Sequence, residues 1–155
     1  MGNTERLAGH LAELSGCRVH RLEPIERYPR DYDAMVALNV REQEEAARPG
    51  LVDPLTSLAP LDILLIGSPI WNSEIPRLMR TFVDTHDFTG ITVAPFTTHA
   101  GSGLGGAPDE YRQACRGAAA IAAGLAVRGE DVGASRDRAA AWLGDLGILP
   151  GRSGS

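Results

Sequence analysis

Apolar residues recur along this chain in two rhythms, a helical period and short continuous runs, and their alternation predicts a parallel sheet joined by crossover helices. Leu7, Leu11 and Leu14, with Ala8 and Ala12, form one face over residues 4–15, and Gly16 marks the end of that helix. Cys17, Val19 and Leu22 alternate through a brief extended stretch, 17–23. Tyr28-Pro29-Arg30-Asp31-Tyr32-Asp33 then reads as a loop into a second helix, which carries Met35, Val36 and Val40 inward and stops before Pro49-Gly50. The run from Leu61 to Gly67 is apolar at nearly every position, as suits a strand covered by helices on both faces. Ile75, Leu78, Met79, Phe82 and Val83 follow at the spacing of a single buried helical stripe, with Pro76 in the first turn.

Residues 91–97 make a second central strand that empties into a glycine-rich loop, and Pro95 within it argues against regular pairing there. Tyr111, Ala114 and Cys115 mark a fourth helix. The Ala-rich stretch 118–128 has helical propensity, but its place before another helical pattern and the trio Leu125-Ala126-Val127 favour a last strand. Ala139, Trp142, Leu143 and Leu146 give a closing helix one apolar side. The pattern therefore predicts one α/β domain over residues 1–149, a doubly wound parallel sheet with helices on both faces, and a disordered tail at 150–155.

Composition narrows what such a domain does. A chain of 155 residues with 43 % hydrophobic and 23 % charged residues builds one globular core and is not a disordered segment. Its net charge of −5 and singly scattered arginines argue against nucleic acid, which recruits clustered positive charge. All 15 basic residues are Arg, which by itself assigns no function. Cys17 and Cys115 form neither a disulfide framework nor a metal set, and each lies in an apolar stretch where a free thiol behaves as a small hydrophobe. A reducing, cytoplasmic setting is expected. No apolar run approaches the roughly 20 residues that span a bilayer, and no signal-peptide pattern opens the chain, so neither a membrane nor export is expected.

In a doubly wound sheet, ligands collect beyond the carboxyl ends of the strands. Three loops occupy that edge. Gly2-Asn3-Thr4 precedes a helix whose free N–H groups and dipole favour an anion, although on local grounds an ordinary cap by Asn3 or Thr4 is the commoner explanation. Gly67-Ser68-Pro69-Ile70-Trp71-Asn72-Ser73 places an indole beside a stiff turn, where it could stack on a heteroaromatic ligand or equally lie on the sheet edge as partial core. Thr97 to Gly106 is richer in Gly than a connection needs, and offers backbone N–H groups to a ring's polar edge; a flexible surface loop is the usual alternative. His10 and His20 lack metal-ligand spacing, and no metal site is expected. With no Gly-x-Ser-x-Gly elbow or Cys-x-x-Cys pair, hydrolase and thiol-redox chemistry have no anchor.

Taken together, these residues resemble the flavodoxin-like FMN-binding family in its short form. The shared elements are Gly2-Asn3-Thr4, Tyr28-Pro29, Asp31-Tyr32, Arg48-Pro49, Gly67-Ser68-Pro69-Ile70-Trp71, Arg80-Thr81-Phe82, Val93-Ala94-Pro95-Phe96, His99 and Gly101-Ser102-Gly103, in family order over almost the whole chain. The resemblance implies that Gly2, Asn3 and Thr4 hold the FMN phosphate. It implies further that Trp71, with Pro69, Ile70 and Asn72, covers one side of the isoalloxazine, and that Thr98, His99, Gly101, Ser102 and Gly103 meet its pyrimidine edge. The function implied is electron transfer, or NAD(P)H-dependent reduction of a small acceptor, with NAD(P)H or a redox protein as partner and a homodimer as a candidate assembly. No catalytic acid or base is assigned, and His99 is a minority candidate for a hydrogen bond to flavin or substrate. The alternative is a binding or structural module of this fold that no longer takes FMN.

One departure accompanies the resemblance. Family members reach the first loop through an apolar strand and a hydroxyl-rich turn, both absent ahead of Gly2, with Met1 where a hydroxyl is expected. In the strand order 2-1-3-4-5 that strand is central, so 17–23 and 61–67 are expected to lack their shared partner. A start site placed downstream of the true one is the favoured explanation, ahead of a variant with shifted strands or a segment from a partner chain.

Overall fold

The computed structural model describes residues 2–26, 29, 31–53, 55, 57–58, 61–71 and 73–148; the expected tail and Tyr28 lie outside them. Helix α1 spans Asn3–Ser15 and buries Leu7 and Leu11. Gly16 ends it at φ 74°, a left-handed stop that residues with a Cβ resist, and donates its N–H to the Ala12 carbonyl. Helix α2, Tyr32–Glu44, begins at Asp31, whose carboxylate accepts from the Ala34 N–H at 2.9 Å. Its inward face differs from expectation: Met35 and Val40 are half-buried, but Val36 is 39 % exposed and Asn39 is the buried position. Val36 lies about 100° around the helix from Met35, too far for a helix that touches the body along a narrow strip.

The remaining elements are β1 (Ile63–Pro69), α3 (Arg77–Asp84), β2 (Thr92–His99), α4 (Ala107–Ala114), β3 (Ala120–Ile121), β4 (Leu125–Arg128), a 3-10 turn (Gly129–Ala134) and α5 (Arg136–Asp145). β2 is central. It pairs parallel with β1, from Ile63 opposite Thr92 to Pro69 opposite Thr98, and on its other side with β3 and β4. These last two are pieces of the strand expected at 118–128, and Pro95 accounts for the break. The Ile91 and Val93 carbonyls accept from the Ala119 and Ala122 N–H groups, so odd-numbered β2 residues turn their backbone toward β3 and β4. Pro95 is next in that series and has no N–H to offer. Between the pairs Val93–Ile121 and Phe96–Leu125, the three residues 122–124 face two on β2, a bulge opposite the missing donor. On the β1 side the register runs through Ile66–Pro95 without interruption, so the irregularity expected at Pro95 is confined to one edge.

Side chains alternate between the two faces of the sheet. Leu64, Ile66 and Val93 pack with Leu78, Met79, Phe82, Val83 and Tyr111 from α3 and α4. Leu65, Ala94 and Phe96 pack with Leu7, Leu11, Ala139, Trp142 and Leu143 from α1 and α5. Helices thus cover both faces, and all five residues of the stripe from Ile75 to Val83 are buried. At Gly67 an added Cβ would lie 2.0 Å from the Phe96 ring, which occupies the space a side chain would take. That ring meets Trp142 edge-on, with centroids 6.2 Å apart.

The stretch 17–23 joins no sheet. Its chain continues into a single antiparallel bridge, Pro24 to Leu51, closed by Ile25 N–H to Gly50 O at 2.8 Å and Val52 N–H to Glu23 O at 2.9 Å. Cys17 and Val19 are exposed, so only Cys115 is the buried, hydrophobe-like thiol expected of both. Among the described residues, β1 has β2 on one side and no strand on the other. With no strand beside β1 to pair with, the backbone that follows 17–23 bonds to the segment around Leu51 instead.

Candidate functional site

The N-terminus of α1 and the ends of β1, β2 and β4 share the carboxyl edge of the sheet, where a parallel α/β fold presents its ligand site. Gly2 itself is the N-cap of α1, so Asn3 and Thr4 are the first helical residues and do not cap it. The ordinary-cap explanation therefore fails: Gly2 has no side chain to offer the opening N–H groups, and the positive end of the helix faces the edge. The Thr4 hydroxyl instead meets that of Thr98 at 2.6 Å, which seats the helix start on the end of β2.

The second loop is a closed turn. Trp71 and Glu74 exchange backbone hydrogen bonds of 2.9 and 3.1 Å around Ser73, which sits at φ 66°, and Gln43 of α2 donates to the Trp71 carbonyl at 3.0 Å. Trp71 is half-buried at the head of this turn. Ile70 is 8 % exposed and packs into the core, while Pro69 closes β1. Asn72 lies outside the described residues.

The glycine-rich loop is folded on itself rather than loose. The Thr97 hydroxyl donates to the Gly103 carbonyl at 3.0 Å, and the Gly105 N–H donates to the Ser102 carbonyl at 3.0 Å. Gly106 N–H reaches across to the Ser73 carbonyl at 2.9 Å, and Gly105, at φ 53°, passes so close that a Cβ would sit 2.7 Å from the same oxygen. Ile70 N–H donates to the Thr98 carbonyl at 3.0 Å. Loops one and three therefore meet at Thr4–Thr98, and loops two and three at Ser73–Gly106. Gly101 and Ser102 are exposed at the rim, and Gly103 is half-buried.

His99 is half-buried, with its Nδ1 shielded from water and without a hydrogen-bond partner. Burial first, then the Arg128 and Arg138 guanidiniums, hold its titration below the ordinary value of 6.5, against an opposing effect of Asp131. An orphaned ring nitrogen at this edge is a natural partner for a polar ligand atom. Beneath the second loop, Glu110 accepts the Ile75 N–H at 3.0 Å and lies 3.7 Å from Arg80; burial raises its pKa above the usual carboxylate range. The Ser68 and Tyr111 hydroxyls are interior neighbours that form no well-aligned hydrogen bond, and burial raises the Tyr111 pKa well beyond its ordinary value.

Sequence reasoning missed two supports of this edge. Glu110 sits on α4 as an ordinary polar helix residue, and only the return of α4 beneath Ile75 gives it a role. Arg128 ends the last strand and Gly129 follows it, and the expectation that this strand is parallel could have placed them at the same edge. A depression of about 530 Å³ between Leu61–Asp62 and Thr85–Ile91 opens at the opposite, amino edge, where none of the three loops reaches. Among the described residues, no group of His, Cys, Asp and Glu is arranged to hold a metal ion, and no helix is long and apolar enough to cross a membrane.

Against known proteins, the sequence matches the flavodoxin family over residues 1–146. Similar solved structures include a protein of Bacteroides uniformis provisionally named a flavoprotein, 29 % identical with a TM-score of 0.75, the match covering 91 % of this chain and 90 % of that one. A second provisionally named flavoprotein, from Bacteroides eggerthii, is 22 % identical with a TM-score of 0.74 over 96 % of this chain and 92 % of its own. A flavoprotein of Lactobacillus acidophilus in complex with FMN is 19 % identical with a TM-score of 0.63, over 87 % of this chain and 89 % of its own. No curated protein sequence matches the chain. With a family match over nearly its whole length, three converging loops and the same fold in its structural neighbours, this chain belongs to the flavodoxin family.

Proposed function

We propose that this protein is an FMN-binding flavoprotein that moves electrons or hydride between a donor of the NAD(P)H class, or a redox protein, and a small acceptor. The observation that carries this reading is the α1 N-terminus, whose cap position is a glycine with no side chain to offer and which Thr4 seats on Thr98 at the edge where the other two loops close. Such a helix start fits a phosphate, and an orphaned His99 nitrogen beside a backbone-rich loop fits the polar edge of a flavin ring. In this reading the N–H groups after Gly2 and the Thr4 hydroxyl bind the phosphate. Trp71, with Pro69 and Asn72 beside it, covers one ring face, Ile70 supports that loop from the core, and residues 98–103 orient the pyrimidine edge. FMN supplies the capacity to take up and release hydride or single electrons. The protein's part is to bind, orient and shield, and to tune the ring through the contact at His99.

Titration of the purified protein with FMN tests the proposal. Quenched flavin fluorescence and a perturbed absorption band are expected, and Trp71→Ala should weaken binding. Anaerobic mixing of the loaded protein with NADH or NADPH then separates a reductase, whose flavin absorbance bleaches, from a carrier, whose absorbance waits for a protein donor. One other reading is a module of this fold that takes no FMN, and absence of quenching would select it.

A further inference from the structure

Beyond the three loops, we propose that the β4 turn forms a fourth wall of the site and that Arg128 binds the FMN phosphate, setting the protein's preference for the phosphorylated flavin; this rests on the FMN reading above.

Arg128 is the last residue of β4 and stands in register with His99 on β2, so its backbone is at the carboxyl edge beside the third loop. The next residue, Gly129, touches the first loop. A Cβ there would lie 2.4 Å from the Asn3 side-chain amide, so the Asn3 side chain at the start of α1 rests directly against this glycine and would have to shift for any larger residue. Arg128 therefore precedes the glycine that Asn3 touches, and its Nη1 donates a long hydrogen bond of 3.4 Å to the Ala100 carbonyl. It has no carboxylate partner among the described residues and its side chain is exposed. The other cations nearby are engaged or turned away. Arg138 donates to the Ala126 carbonyl at 2.7 Å, and the guanidinium of Arg6 lies against the 3-10 turn at Gly133.

The charge balance makes such a cation useful. The chain carries a net −5, and the groups around this edge include Glu5 in the first turn of α1 and Glu130 and Asp131 just after Arg128. Glu5 is paired with Arg21 at 2.9 Å, whereas neither Glu130 nor Asp131 has an ion pair among the described residues. A phosphate dianion brought to the α1 N-terminus meets that acidic field, and the guanidinium of Arg128, one residue before the glycine that Asn3 touches, would offset it with two parallel N–H donors.

The test compares FMN with riboflavin, which lacks the phosphate. In the intact protein Arg128→Gln should lower FMN affinity roughly ten- to hundredfold while riboflavin affinity stays the same, and should flatten the salt dependence of FMN binding. Arg128→Lys should keep part of the preference. Gly129→Ala, which pushes Asn3 off the turn, should also lower FMN affinity. An unchanged ratio of FMN to riboflavin affinity in Arg128→Gln overturns the assignment while leaving the FMN reading intact. Equal loss of both flavins overturns it too, because that pattern belongs to a structural residue. A wild-type protein that binds neither flavin overturns both proposals together.

Discussion

The Thr4 and Thr98 hydroxyls meet at 2.6 Å across 94 positions of sequence, joining the first turn of α1 to the end of the central strand. This bond fixes where the helix dipole points. Thr4 does not act as a cap: Gly2 takes the cap position, and the Thr4 hydroxyl bonds to Thr98 rather than back to the N–H groups of its own helix.

Replacing either threonine by valine removes the bond at nearly constant shape. Each single variant should lose about 0.5–1.5 kcal/mol of stability, and the double variant should lose no more than either one, because the second change then has no bond left to break. Urea unfolding of the four proteins measures the coupling. Additive losses would show that the two hydroxyls do not act as a pair.

Gly67→Ala places a methyl group 2.0 Å from the Phe96 ring in the middle of the sheet. Destabilisation of about 1–3 kcal/mol is expected from this overpacking, and Phe96→Leu in the same chain should recover part of it. A drop in the unfolding midpoint that Phe96→Leu deepens instead would remove the ring as the cause.

Glu110 is held by a buried backbone donor, with 14 % of its side chain exposed. Its folded pKa is raised above the ordinary 4.5, so the protonated form is favoured by folding. The stability it contributes is full below about pH 4.5 and lost as pH rises through the folded value. Glu110→Gln keeps an acceptor for Ile75 and should gain on the wild type as pH rises from 4 to 7, whereas Glu110→Ala strands that N–H and should cost about 1–3 kcal/mol at every pH. Thermal melts across this range decide it, and a Gln variant that parallels the wild type at each pH would contradict the assignment.

The two thiols should separate kinetically. Cys17 is exposed, and Cys115 is buried with its pKa pushed up to about 12. A thiol reagent at neutral pH should modify Cys17 quickly and Cys115 only with global unfolding. Fast modification of both in the native protein would mean that α4 opens independently of the sheet.

Much of the fold is visible in local pattern because each element buries a contiguous face. The i, i+3, i+4 spacing from Ile75 to Val83 and the apolar run at 63–66 are each sufficient to name a helix and a strand. The choice of strand for 118–128 also follows from order along the chain, although its split into β3 and β4 does not. That split needs the identity of the facing residue, Pro95, which is some 25 to 30 positions away. Val36 and Cys17 were misjudged for a related reason: periodicity says which residues share a face, but not whether anything packs against it. At the carboxyl edge, the glycines of the third loop are legible because close backbone approach, as at Gly105 beside Ser73, demands that residue type. Glu110 and Arg128 are not, since Glu and Arg occur on any exposed helix or strand end.

By itself, the sequence determines the α/β order, the buried stripes, the glycine-rich edge and the resemblance that names the family, because these depend on residue type and short-range spacing. Tertiary structure alone decides that Thr4 finds Thr98, that Gly105 and Gly106 close on Ser73, and that Gly129 stands beside Asn3. Each of these is a meeting of groups far apart in the chain, and a hydrogen bond or a close approach is decided by distances of a few tenths of an ångström that only the packed sheet and helices impose.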